Sequence, residues 1–83
     1  MECRILACEQ VVFSGAARGV FARGLGGWFG VLPGHAPAAF ALADAPVRVH
    51  TNGGTRVFQV KRGVLHVRPE SVTVLADVVT ERA

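Results

Sequence analysis

Apolar and polar residues alternate with a period of two along most of this chain, and a helical period is almost absent. In Val47–Thr51 (VRVHT), Val47, Val49 and Thr51 share one face while Arg48 and His50 take the other. That pattern predicts a half-buried strand, because successive side chains of a strand point to opposite sides. Asn-Gly-Gly follows, a strong hairpin signal that predicts a two-residue type I′ turn with φ > 0 at both central positions. Thr55–Val60 (TRVFQV) is the returning strand, Val64–Arg68 (VLHVR) the next, and after a Pro-Glu-Ser turn comes Val72–Val79 (VTVLADVV). In that last run Val72, Val74, Ala76 and Val78 are expected on one face, opposite Thr73, Leu75 and Asp77. Upstream, RILAC, VVF and GVFAR read as three further short strands, while Ala38–Ala43 (AAFALA) is too short for its period to separate strand from helical turn. Closely spaced strands with turn signals between them predict an all-β fold, a small sandwich or barrel.

One stretch breaks the rhythm. Gly26–Pro37 (GGWFGVLPGHAP) places the only tryptophan in a glycine-rich run and brackets a histidine with prolines. Glycine supplies φ > 0 and proline fixes φ near −65°, so both ends of this stretch demand turns. Trp28, Phe29, Val31 and Leu32 are the residue types a core takes up. A short buried segment between two turns is the expectation.

The chain has 83 residues, the size of one small domain over 1–83, and no linker, repeat or low-complexity segment divides it. Its apolar fraction of 51% and mean hydropathy of +0.38 fit either a dense β core or an apolar surface held against a partner. No apolar run approaches the roughly 18–20 residues needed to cross a bilayer. The N-terminal MECRILACEQVVF carries Glu2 and Glu9 around a broken apolar run, unlike a signal peptide, so an intracellular protein is expected. Cys3 and Cys8 in one strand would stand roughly 16 Å apart, beyond disulfide reach, and are expected to be reduced and packed as small apolar residues. The net charge of +3 rests on nine basic residues, eight of them arginine. Arg48, Arg56, Lys61, Arg62 and Arg68 are interleaved with valines, as on the solvated face of a sheet or a patch that meets acidic partners.

Reactive chemistry is not written in the sequence. Gly24–Gly30 (GLGGWFG) fails the dinucleotide fingerprint because its sixth position is Phe29 and Pro33 stops any helix that could receive a phosphate. No GxxxxGK[ST] occurs. Ser14 and Ser71 are expected in turns, Asp44 and Asp77 are isolated, and no nucleophile, base and carboxylate fall into a catalytic grouping. His35, His50 and His66 are scattered without paired cysteines, so no metal site is expected. Catalytic residues, metal and cofactor are all read as none.

Gly27–Pro37 (GWFGVLPGHAP) together with Val72–Val79 (VTVLADVV) resembles the N-terminal domain of the epsilon subunit of F-type ATP synthases. Phe13–Gly15 (FSG) stands where that family has an F-x-G turn, and Arg62–Pro69 (RGVLHVRP) corresponds to its G-G-x-x-E-V-x-P hairpin. The resemblance runs along essentially the whole chain. It implies a flattened β-sandwich of about ten short strands at the foot of a bacterial rotor's central stalk. The partners it implies are the gamma subunit and the polar loops of the membrane c-ring, with no nucleic acid and no direct membrane insertion. The place it implies is peripheral, on the cytoplasmic face of the inner membrane. The implied role is non-catalytic, coupling proton or sodium translocation to ATP synthesis or hydrolysis.

By the same resemblance Gly30, Pro33, Gly34, His35 and Pro37 match the family's turn toward the ring. The glycines and prolines are expected to meet backbone requirements, and His35 to brace the turn or touch the ring. Trp28 stands where many relatives carry glutamate and where the family's surface meets the ring. It is read as a ring-facing candidate that either anchors on a partner or tucks into the sandwich. Lys61-Arg62-Gly63 replaces S/N-G-G. Relatives continue into a two-helix C-terminal domain. With the sequence ending at Ala83 that hairpin is read as absent, so neither nucleotide binding nor helical inhibition is expected. A second reading is a small basic β-domain that binds single-stranded nucleic acid. It would need stacking aromatics beside the arginines, and the arginine-bearing strands offer only Phe58.

Overall fold

The computed structural model describes residues 1–82, and the alternation read from the sequence becomes eight strands with no helix. They are β1 (Glu2–Ala7), β2 (Gln10–Ala16), β3 (Gly19–Gly24), β4 (Gly27–Val31), β5 (Ala38–Ala41), β6 (Ala45–Thr51), β7 (Gly54–Arg68) and β8 (Ser71–Arg82). The ambiguous Ala38–Ala43 run is therefore a strand. The hydrogen-bonded order is β2-β1-β8-β7-β6-β3-β4, with β5 pairing β7 from the side. All pairs are antiparallel except β1 with β8.

This sheet closes over itself. Phe13 of β2 and Phe58 of β7 lie three places apart in the strand order, which in a flat sheet is about 14 Å. Their ring centroids are 5.5 Å apart. The fold-over happens in the two long strands. β7 pairs β6 up to Val60 and β5 from Val64 onward, with β8 alongside throughout. One layer thus holds β2, β1, the first half of β8, the second half of β7, and β5. The other holds β4, β3, β6, the first half of β7 and the second half of β8. Cut at the crossing, the two long strands supply four segments, which with the other six strands make ten, the number the resemblance implied.

Arg62 marks the crossing. Inward residues of β7 run Phe58, Val60, then Gly63, Leu65, Val67, so the phase slips by one position between Val60 and Gly63. Arg62 absorbs the slip with φ of 54°, a left-handed conformation in which a side chain is strained. Asp44 Oδ1 accepts its backbone N–H at 2.9 Å and Asp77 Oδ2 accepts its Nε–H at 2.7 Å. The hydrogen bond to Asp77 holds the guanidinium above its ordinary pKa. β8 slips in register with β7. Val72, Val74 and Ala76 face inward as expected, but Val78 turns to solvent and Val79 packs on the core instead.

The interior is one apolar cluster drawn from both layers. Ile5, Val20, Val31, Val49, Phe58, Val60, Leu65, Val72 and Val74 are all fully buried, and among the described residues no charged or polar side chain joins them. Each buried side chain of this size contributes roughly 1.5–3 kcal/mol, which gives a short chain enough core to fold. The Arg56 guanidinium closes one end, 4.9 Å from the Phe13 centroid and 5.5 Å from Phe58. Glu81 accepts two hydrogen bonds from it at 2.7 Å. Those bonds hold the Glu81 carboxyl below its ordinary range.

Two local expectations change. At the β6–β7 hairpin neither Asn52 nor Gly53 has φ > 0; the positive φ, 124°, falls on Gly54. Thr51 explains the difference, because its Oγ1 accepts the Gly53 N–H at 3.2 Å and donates to Gly54 O at 2.7 Å, an alternative to the primed turn. Cys3 and Cys8 are both free, but only Cys3 is packed; Cys8 stands in the β1–β2 turn, exposed, with φ of 55°.

Candidate interaction surface

The Gly26–Pro37 stretch is not the buried segment its residue types suggested. Val31 alone is fully buried. Phe29 is half-buried against Phe40 of β5, ring centroids 4.4 Å apart, and this stack closes the gap between the two layers. Trp28 is 57% exposed and Leu32 55%. The reason is positional: β4 ends the strand order, so its outward side chains have no further strand beside them.

The Pro-Gly-His signal resolves into a type II turn. His35 N–H donates to Leu32 O at 3.1 Å, with Pro33 at the second position and Gly34, φ of 86°, at the third. His35 Nδ1–H donates to Ala36 O at 2.7 Å, and its ring meets Phe40 edge-on at 6.5 Å. Pro37 follows, exposed, ahead of β5. Gly30 has a different constraint from the one expected. Its φ is not positive; instead a Cβ there would stand 2.5 Å from Phe21 Cε1. Phe21 is its partner across β3–β4 and lies over it, so the ring itself demands the missing side chain.

Trp28 and Gly30 thus share the outer face of their layer with residues that the sequence reading did not place beside them. Phe21, Trp28, Phe29, Gly30, Arg48 and His50 line a shallow depression of about 670 Å³. Phe21 and Arg48 are directly paired across β3–β6, and the His50 ring stands edge-on to Phe21 at 5.0 Å. His50 Nδ1 and Thr55 Oγ1 are 2.9 Å apart. The signal was available in part: the alternation put Arg48 and His50 on one face, but not which strand would lie next to them. Among the described residues no group of His, Cys, Asp or Glu side chains could hold a metal ion, and no helix is long and apolar enough to cross a membrane. What the arrangement can do is bind: it presents flat aromatic area, guanidinium donors and a stiff turn.

A family model described as the ATP synthase Delta/Epsilon chain beta-sandwich domain matches residues 1–82. The chain belongs to that family. An ATP synthase epsilon chain of Acinetobacter baumannii is 44% identical over 78 residues, which are 93% of this chain and 56% of that protein. The epsilon chain of Chromohalobacter salexigens is 44% identical over 80 residues, 95% of this chain and 57% of its own. The chain therefore spans a little over half the length of these relatives. Among solved structures, a chain of the Euglena gracilis mitochondrial ATP synthase (OSCP/F1/c-ring) superposes with a TM-score of 0.88 at 20% identity, covering 95% of this chain and 51% of that one. One from the Tetrahymena thermophila mitochondrial ATP synthase central stalk and c-ring gives 0.78 at 9% identity, covering 95% and 64%. At such identities the likeness concerns the fold. The folded-over eight-strand sheet is thus the delta/epsilon-type sandwich, an epsilon-subunit N-terminal domain by sequence.

Proposed function

We propose that this domain is a non-catalytic rotor element of a bacterial F-type ATP synthase. It is gripped by the gamma subunit and seated on the polar loops of the c-ring, peripheral to the cytoplasmic face of the inner membrane. It joins proton or sodium flow through the ring to ATP synthesis or hydrolysis at catalytic sites on other subunits. The single observation that carries this reading is the family match over residues 1–82.

The physical fit is mechanical. A domain that transmits torque must resist shear between two gripped surfaces, and here two strands of 15 and 12 residues run through both layers and tie them covalently. The end that carries Trp28, Gly30, Pro33, Gly34, His35 and Pro37 is the ring-facing candidate. Its turn is held by backbone geometry, while its apolar side chains are left outward for a partner.

Co-expression with the gamma subunit of the same organism tests the reading: a stable one-to-one complex on size exclusion is expected, and separate elution of the two would overturn it. In the assembled enzyme, Gly34→Val combined with His35→Ala should lower ion pumping per ATP hydrolysed. The isolated domain should still fold, its melting temperature lowered by about 4–16 °C, since strain at one positive-φ site costs about 1–2 kcal/mol.

A further inference from the structure

We infer that the outer face of the β3–β4–β6 layer is a docking surface for an acidic, partly apolar segment of a partner protein, centred on Phe21, Trp28 and Arg48; the inference rests on the proposed outward, partner-facing role of Trp28 and Gly30. Three observations converge on it. Across the layer the pairing sets Gly30, Phe21, Arg48, Val57 and Arg82 in one row, with Trp28 and Arg23 paired alongside. These paired positions hold Arg23, Arg48 and Arg82 and no carboxylate, and His50 lies beside them. Among the described residues, the only ion pairs are Arg56 with Glu81 and Arg62 with Asp77, and both lie off this face. Phe21, Trp28 and Leu32 are exposed on it, and Gly30 is kept bare so that Phe21 can lie flat.

The opposite outer face is built differently. There Arg4, Arg68, His66, Ser71 and Thr73 gather, and Glu2, hydrogen-bonded to Ser14, offsets one of the two arginine charges. The asymmetry is therefore local and not a consequence of the net charge of +3. Exposed tryptophan, phenylalanine and arginine together is the composition of protein interface centres. A guanidinium beside an aromatic ring suits a carboxylate whose neighbours are apolar, because the ring excludes water and the planar fork takes both oxygens. Single-stranded nucleic acid asks for a longer track of phosphate contacts and successive stacking rings than one tryptophan and one phenylalanine supply.

Trp28, the only tryptophan, reports on this face directly. Its emission is followed while the chain is titrated with a synthetic peptide of alternating glutamate and leucine. The same peptide with lysine for glutamate, a thymidine oligonucleotide, and vesicles containing phosphatidylglycerol are titrated in parallel. The acidic peptide should shift the emission to shorter wavelength and the lysine peptide should not. Arg48→Glu should weaken the response about tenfold, and Arg23→Glu, a second variant on the same face, should also weaken it. Arg4→Glu changes the net charge equally on the opposite face and should leave the response within about twofold. Equal losses in the Arg48 and Arg4 variants, tighter binding of the oligonucleotide or the vesicles, or a Trp28 signal that answers none of the probes would each overturn the inference. Peptide binding and gamma association are separate readouts, so either can fail without the other.

Discussion

Compare the crossing of β7 and β8 with the edge where β4 and β5 stop. At the crossing, a residue in a strained conformation is answered from inside the domain: Arg62 is held by Asp44 on one side and Asp77 on the other. At the edge, a type II turn is set just as firmly by Pro33 and Gly34, yet Leu25, Trp28 and Leu32 around it point to water. The first region organises backbone and side chains for the fold's own sake. The second fixes the backbone and leaves the apolar area without a use inside the domain, which is how a contact surface differs from a structural corner.

The largest test of that contrast lies just past the crossing. Leu65→Ala removes a fully buried side chain of β7 and should destabilise the domain by about 2–5 kcal/mol in a denaturant melt. A cost below about 1 kcal/mol would mean that the long strands are not the core.

The interior makes a pH-dependent contribution as well. Burial chiefly, and the Glu2 charge secondarily, push the Cys3 thiol up to about 12. The folded state therefore keeps its proton where the unfolded chain, with an ordinary thiol near about 8.5, has lost it. A raised pKa stabilises fully below the unfolded value, and that stability declines as pH climbs toward the folded one. Stability should be flat to about pH 8 and then fall with a limiting slope of about 1.4 kcal/mol per pH unit, and Cys3→Ala should remove that component.

Arg62 separates strain from pairing. Arg62→Val places a β-branched residue at φ of 54° and should cost about 1–2 kcal/mol more than Arg62→Gly. The glycine variant relieves the strain and loses only an exposed ion pair. Equal stability of the two variants would show that the crossing does not depend on the left-handed residue.

The smallest effect belongs to the edge. Trp28→Ala should change stability by no more than about 0.5 kcal/mol, despite removing the largest side chain in the protein. A loss comparable to that of Leu65→Ala would erase the distinction between corner and contact surface.

Most of the strands were legible because a strand's period is local: Val47 and Val49, Phe58 and Val60, and Val72 and Val74 declare their inward faces within a few residues. The type II turn at Leu32–His35 was legible for the same reason, since Pro and Gly constrain their own φ. What could not be read was anything that depends on a neighbour distant in sequence. The phase slip that exposes Val78 follows from pairing with Lys61, and the bare Gly30 follows from the ring of Phe21. The residue type of Trp28 suits a core and a partner contact alike; its pairing with Arg23 on the outward face of an edge strand decided for exposure.

The sequence by itself thus determined the strand class, the turn chemistry and the composition of the core, all of which are set by covalent geometry and short-range alternation. Only the tertiary structure decided which strands became edges, where the sheet folds over, and that Phe21, Trp28, Arg48 and His50 share one surface. Those outcomes depend on which strands pair across the layers, and no residue's own φ, ψ or side chain encodes its partner.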